Sequence, residues 1–261
     1  MYKINKASCE ENFAIIFNEQ VPNLGATKAS LMRLLRSLDL VSWSAREESG
    51  RLDRKAFSRF ATGSTNVFSR RMLGEAHTSA VSMLIDLSGS MHGGRIETAE
   101  KIAIQLAKIL DKSGCEFSIT GYTGDTVREY TGTDRFDSQE VIFVPFKQWN
   151  ESLQKAAPKL GAIHACANGE NPDYGAVMMK LEELAWRKEN RKVLFYFTDA
   201  GSFVHPHMQF LQGFADKQGI KIVAIGIGHT EVAKSFRSSV NVSNLEDLAS
   251  AAFSKLLSEI K

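Results

Sequence analysis

Two short stretches of the chain place oxygen ligands where a folded protein can use them. Asp86-Leu87-Ser88-Gly89-Ser90-Met91 follows the apolar run of residues 80–85, and Thr198-Asp199-Ala200-Gly201-Ser202 follows Val193-Leu194-Phe195-Tyr196-Phe197. Carboxylates and hydroxyls are hard donors, suited to magnesium, manganese or calcium rather than to copper or structural zinc. Side chains at alternate positions of a turn, here 86, 88 and 90, can converge on one point. Gly89 removes the side chain that would crowd such a turn. A capping turn for the next helix would also explain Ser and Asp in the first loop, but not Asp199 at a second strand end.

The elements that must position these loops are visible in the hydrophobic pattern. Residues 80–85 form a short, almost wholly apolar run, as a buried parallel strand requires. A helix is predicted next, with Ile96, Ala99, Ile102, Ala103, Leu106 and Leu110 on one face. Strands are predicted over 117–122, 141–146, 193–197 and 220–227. Helices are predicted over 173–187, with Val177, Leu181 and Leu184 inward and Met178 and Met179 as core residues, and over 245–260, capped by Ser243 or Asn244. Strands alternating with helices of this length imply a three-layer α/β sandwich with a mainly parallel, doubly wound sheet. In such sheets ligands bind outside the carboxyl ends of the strands, where both acidic loops lie.

Residues 1–77 differ in pattern and are expected to form a small helical N-terminal extension to an α/β domain at 78–261. Leu31, Leu34, Leu35 and Leu38 have helical spacing over 30–40, and a second short helix is expected around 52–60. From Lys28 to Arg71 there are ten Lys or Arg against four Asp or Glu. That surplus suits either a solvated helical arm or a docking surface for an acidic partner.

Composition narrows the classes. At 261 residues the chain has room for one generous domain, or one domain with a small appendage. Its 32 basic and 30 acidic residues leave a net charge of +2, which argues against a general nucleic-acid binder. No apolar run is long enough to span a membrane, and Met1-Tyr2-Lys3-Ile4-Asn5-Lys6 lacks the core of a signal peptide, so a cytoplasmic location is expected. Cys9, Cys115 and Cys166 have no Cys-x-x-Cys spacing and read as reduced thiols. Gly89 to Gly94 has phosphate-loop spacing, but Arg95 and Ile96 stand where the lysine and hydroxyl are needed. Gly226-Ile227-Gly228-His229 lacks the third glycine of a dinucleotide fingerprint. His205-Pro206-His207 has no second ligand pair for zinc and reads as a surface turn.

Asp-x-Ser-x-Ser after a buried strand, with a later strand ending in Thr-Asp, resembles the metal-ion-dependent adhesion site of von Willebrand factor type A domains. A wider, ordered set of motifs is similar to the T-type accessory subunit of cobaltochelatase, from cobalamin synthesis. The set comprises Gly50-Arg51-Leu52-Asp53, Leu84-Ile85-Asp86 with Ser88-Gly89-Ser90-Met91, Glu170-Asn171-Pro172-Asp173, Ala224-Ile225-Gly226-Ile227-Gly228-His229, Phe236-Arg237 and Leu245-Glu246-Asp247-Leu248. The resemblance covers roughly residues 45–261, that family's C-terminal region.

The resemblance implies a subunit that is not itself the catalyst. It would work with an AAA+ ATPase of the chelatase or MoxR type, while a large chelatase subunit inserts the metal into the corrin ring. It also implies a magnesium site, with manganese or calcium as alternatives. Ser88 and Ser90 would ligate the ion directly, and Asp86 and Asp199 would accept hydrogen bonds from its waters. A middle-loop residue would join them, Asp173 first and Asn171 second, and an acidic side chain of a partner would complete the shell. The physical sense is that hydroxyl ligands, with few direct carboxylates, leave the ion electropositive enough to attract that group. The alternative is a magnesium-dependent phosphatase of the haloacid dehalogenase type with Asp86 as nucleophile. Those enzymes carry an acid–base carboxylate two residues on; here that position is Ser88, which cannot do that work at neutral pH.

Overall fold

A computed structural model describes residues 5–22, 24–35, 42–47, 49, 51–52, 65, 67–72, 79–125, 140–199, 206–228, 232 and 236–250. The described residues before 36 group with those from 79 onward, and those between 36 and 77 form a separate unit.

The sheet of the larger unit grows from the apolar runs. It has six strands in the order β6-β5-β4-β7-β8-β9: β4 (Ser79–Asp86), β5 (Glu116–Asp125), β6 (Glu140–Lys147), β7 (Arg191–Thr198), β8 (Ile220–Ile227) and β9 (Ser239–Val242). Every pairing is parallel except that of β5 with β6. The predicted three-layer, mainly parallel sandwich is therefore the observed architecture.

Pleating sorts the residues of each strand between two cores. Val81, Met83 and Ile85 of β4 face one side, with Val193, Phe195 and Phe197 of β7. Helix α3 (Gly94–Ser113) covers that side with the apolar face read from the sequence. Ala80 and Leu84 face the other side, with Leu194 and Tyr196. Helices α5 (Asp173–Ala185) and α6 (Pro206–Lys217) lie there, contributing Val177, Leu181, Leu184, Leu211 and Ala215. Met178 packs against this core, but Met179 is 49% exposed, contrary to the expectation that both are core residues. The crossover from β4 leaves through α3 on one face and that from β7 through α6 on the other. The topological switch point therefore lies between β4 and β7, where ligand crevices form in such sheets.

Helices α1 (Lys6–Asn18) and α2 (Gly25–Leu35) belong to this larger unit rather than to one extension over 1–77. Phe13, Ile16 and Leu31 are buried in the α3-side core, and α1 also packs on α4 (Leu153–Leu160). Side chains of α3 tie down the last turn of α1: Gln105 Nε2 donates to Ile16 O at 2.6 Å and Lys108 Nζ to Phe17 O at 2.5 Å. These bonds serve carbonyls of the last turn, which a helix end leaves short of partners.

The separate unit is not purely helical. It has β1 (Ser42–Glu47), β2 (Arg51–Leu52) and β3 (Phe68–Met72), antiparallel in the order β1-β3-β2. The period-two pattern of Ser42-Trp43-Ser44-Ala45 favours a strand, a signal weaker here than the leucine spacing just before it. The helix predicted over 30–40 is α2, which starts earlier. Residues 36–41, and 53–60 of the second predicted helix, lie outside the described residues. At the other end, residues 245–249 form a 3-10 turn in which Asn244 and Asp247 make a capping box. Residues 251–261 lie outside the described residues, as do Ala200, Ser202, His205 and His229. Among the described residues no helix is long and apolar enough to cross a membrane.

Candidate metal centre

Parallel register brings the two acidic loops together at the carboxyl end of the sheet. Ile85 pairs with Phe197 on one side and with Gly121 on the other, so β4 and β7 end at the same level. A third loop, after the turn at residues 163–165, is stitched to the first acidic loop and to the end of β5. Gly89 N donates to Gly169 O at 2.8 Å, Asn168 N to Leu87 O at 3.1 Å, and Gly124 N to Glu170 O at 3.0 Å. Gly169 permits this approach: a Cβ there would lie 1.9 Å from Thr123 Oγ1. Met91, fully buried, anchors the far end of the first loop.

The functional side chains fall into two linked sets. In the first, Ser88 Oγ and Ser90 Oγ lie 3.0 Å apart, and Ser90 Oγ donates to Asp199 Oδ1 at 2.9 Å. Arg95, in the first turn of α3, closes this row: its Nη1 donates to Ser90 O at 3.0 Å and to Asp199 Oδ2 at 2.5 Å. Asp86 stands beside the row with both oxygens engaged. Ser88 N–H donates to Oδ1 at 2.8 Å, and the Thr198 hydroxyl donates to Oδ2 at 3.2 Å.

The second set lies on the β5 side. Asp173 Oδ1 accepts from the Tyr196 hydroxyl at 2.6 Å and from the Tyr122 hydroxyl, and the two hydroxyls lie 2.9 Å apart. Asn171 joins them, its Oδ1 accepting from Tyr122 at 3.3 Å. All five residues named first for the site therefore lie at the carboxyl end of the sheet, and Asn171 lies with Asp173. Ser88, Ser90 and Asp199 are joined directly. Asp173 is held by tyrosines, and it acts on Asp86 through charge.

Burial, reinforced by like charge, marks the cluster. Burial pushes the Asp86 carboxyl up to about 8, reinforced by the nearby Asp173 and Asp199 and opposed by the hydrogen bonds from Ser88. Burial also pushes Asp173 up to about 6, against the pull of the two tyrosine hydroxyls. Both tyrosines are fully buried, and their own ionisation is driven well above the ordinary range, first by burial and then by Asp173.

Among the described residues no three His, Cys, Asp or Glu side chains converge as a ligand group. An ion here would have to be met by serine hydroxyls. Their spacing suits that task, because adjacent ligands of an octahedral ion with bonds of about 2.1 Å lie about 3.0 Å apart. Ser90 gives its proton to Asp199 and so accepts from Ser88, which leaves it one lone pair to face a cation.

Tyr122, Tyr196 and Arg95 take part in this site without having been singled out for it, and Thr198, quoted only in the Thr-Asp signature, serves as a donor to Asp86. A tyrosine inside an otherwise apolar buried strand signals that its hydroxyl has a partner, and Tyr196 in its run carries that signal.

A family profile described as "Cobalamin biosynthesis protein CobT VWA domain" matches residues 67–261. Proximal thread matrix protein 1 from the mussel byssus, solved with a zinc-occupied MIDAS motif, superposes with a TM-score of 0.50 at 14% identity. That match covers 70% of this chain and 48% of the mussel chain. The open conformation of the pilus adhesin SpaC from Lactobacillus rhamnosus GG gives a TM-score of 0.50 at 13% identity, over 72% of this chain and 30% of that one. This chain thus spans less than half the length of either structure, and the likeness to them is one of fold.

Proposed function

This chain belongs to the family of the cobalamin biosynthesis protein CobT VWA domain, and on that premise we propose that it is a non-catalytic interaction subunit whose metal loop engages an AAA+ ATPase. Residues 78–261 would form the von Willebrand factor A-like part, acting in the cytoplasm. Ser88 and Ser90 would hold a divalent ion directly, and Asp86 and Asp199 would orient its waters. Asp173 would complete the site from the middle loop. Magnesium is the first choice, with manganese or calcium accepted by the same hard donors. The ion would supply an open position for a carboxylate of the ATPase, or of a large chelatase subunit that the ATPase serves.

The observation that carries this reading is the row of Ser88, Ser90 and Asp199. Its hydroxyls have the spacing of neighbouring ligands, and its one hydrogen bond to a carboxylate turns a lone pair outward. The phosphatase alternative needs Asp86 exposed to a substrate. Instead Asp86 is fully buried, and both its oxygens accept hydrogen bonds from this chain.

The test is a pull-down of the purified protein with an AAA+ ATPase of the chelatase or MoxR type, with and without metal. EDTA or Ser88→Ala should weaken association by about 30-fold or more, the low end of the roughly 2–5 kcal/mol lost when one member of a buried charge pair is removed. Binding indifferent to both treatments would remove the metal bridge and leave the adapter role. Absence of binding, together with magnesium-dependent phosphate release from a generic phosphoester, would favour the enzyme.

A further inference from the structure

We propose that Arg95 is a built-in counter-cation of this site, one that a divalent ion must displace from Asp199, so that metal binding and release of the Arg95 side chain are one event. The inference rests on the metal reading above and specifies how that site is regulated.

The geometry is asymmetric. Asp199 is almost wholly buried, with 4% of its side chain exposed, while the paired Arg95 side chain is 52% exposed. The guanidinium therefore forms a solvent-facing layer over a buried carboxylate. The two oxygens of Asp199 are divided between rivals: Oδ1 takes the Ser90 hydroxyl and Oδ2 takes Arg95 Nη1. The same Nη1 also holds the Ser90 carbonyl, which fixes the guanidinium beside the two serines.

Two positive groups cannot share that position without cost. Asp86, Asp173 and Asp199 bring three carboxylates to the ends of neighbouring strands, and any nearby cation offsets the like charge gathered there. In the metal-free protein Arg95 supplies part of that offset. A divalent ion at Ser88 and Ser90 would supply more, and it would repel the guanidinium held next to Ser90. Asp199 Oδ2 would then be free to accept from a water of the ion. Arg95 rises from the N-terminal turn of α3 and is half exposed, so it can swing into solvent without disturbing the core.

The measurement is the affinity for Mn2+, read by calorimetry on the full chain and on Arg95→Gln and Arg95→Lys. Glutamine keeps a donor and drops the charge, whereas lysine keeps the charge and drops the fork. Arg95→Gln should bind Mn2+ about tenfold more tightly, the lower end of the roughly ten- to thousandfold by which a neighbouring charge at 4–6 Å shifts an ionisation. Arg95→Lys should stay near the unmodified chain. The gain for Arg95→Gln should shrink as salt rises, because the removed charge is partly exposed. Weaker binding by both variants would make Arg95 a brace for the loop and overturn the proposal. Equal binding by all three proteins would also overturn it, while leaving the metal site standing. Failure of all three to bind would remove the metal reading itself.

Discussion

Asp173 is the site residue whose surroundings decide most about its behaviour. It is a carboxylate held by two phenol hydroxyls that donate to one oxygen. A hydrogen bond to a charged group contributes about 1.5–3 kcal/mol, and its loss leaves the buried acceptor underserved. Tyr196→Phe should therefore destabilise the protein by about that amount in urea unfolding, with little change in shape. If Tyr196 acts through Asp173, adding Asp173→Asn should recover part of the loss, which a double-mutant cycle reads directly. Strictly additive effects would mean that the phenol stabilises the core by packing alone. Asp86, Ser88, Ser90 and Asp199 were legible in the sequence because they immediately follow apolar strands. The partners of Asp173 were not, because Tyr122 and Tyr196 meet it only once strand order sets β5 and β7 on either side of β4.

Glu100 ties three elements together. It projects from α3, accepts from Asn12 of α1 at 3.4 Å, and lies 3.1 Å through both oxygens from Nδ1 of His164. Burial raises its pKa, and the hydrogen bonds from His164 and Asn12 offset this only in part. The other titratable groups it acts on are Cys9 and Cys166, whose thiols are pushed up by burial and by Glu100 itself. The sign follows from linkage: the folded state holds this proton more tightly than the unfolded chain does. Its contribution is fully present below the ordinary glutamate value and is lost as pH rises through the raised one. Urea midpoints of Glu100→Gln should thus gain on those of the unmodified chain as pH rises from about 4, whatever the shared background slope. Parallel profiles would assign the slope to other groups. At this scale, long buried strands were readable, since a parallel strand covered on both faces is one apolar run. Helix α1 was not, because Ile15, 65% exposed, blurs the stripe made by Cys9, Phe13 and Ile16. Helix α4 is eight residues long and carries Pro158, which the periodic pattern reads as an interruption.

The basic surplus between Lys28 and Arg71 is divided once the chain folds. Lys28 lies on α2 in the larger unit, whereas residues 36–77 form a unit with its own three-stranded sheet. Among the described residues the α/β core draws no strand from that segment: its strands begin at Ser79. Replacing residues 36–77 with a flexible glycine–serine linker should therefore leave the larger unit folded, with cooperative unfolding and a melting temperature within a few degrees of the full chain. The same excision separates two kinds of attraction. Exposed charges are screened within about 8–10 Å at ordinary ionic strength, so any contact they make with an acidic partner weakens as salt rises. A carboxylate bridged by a metal is shielded from solvent and answers to EDTA instead. The excised protein should lose the salt-sensitive part of its association with the ATPase and keep the chelator-sensitive part. Ser88→Ala should do the reverse. If excision abolished both parts while the melting temperature held, the small unit would itself carry the principal contact, and the metal loop would be secondary to it.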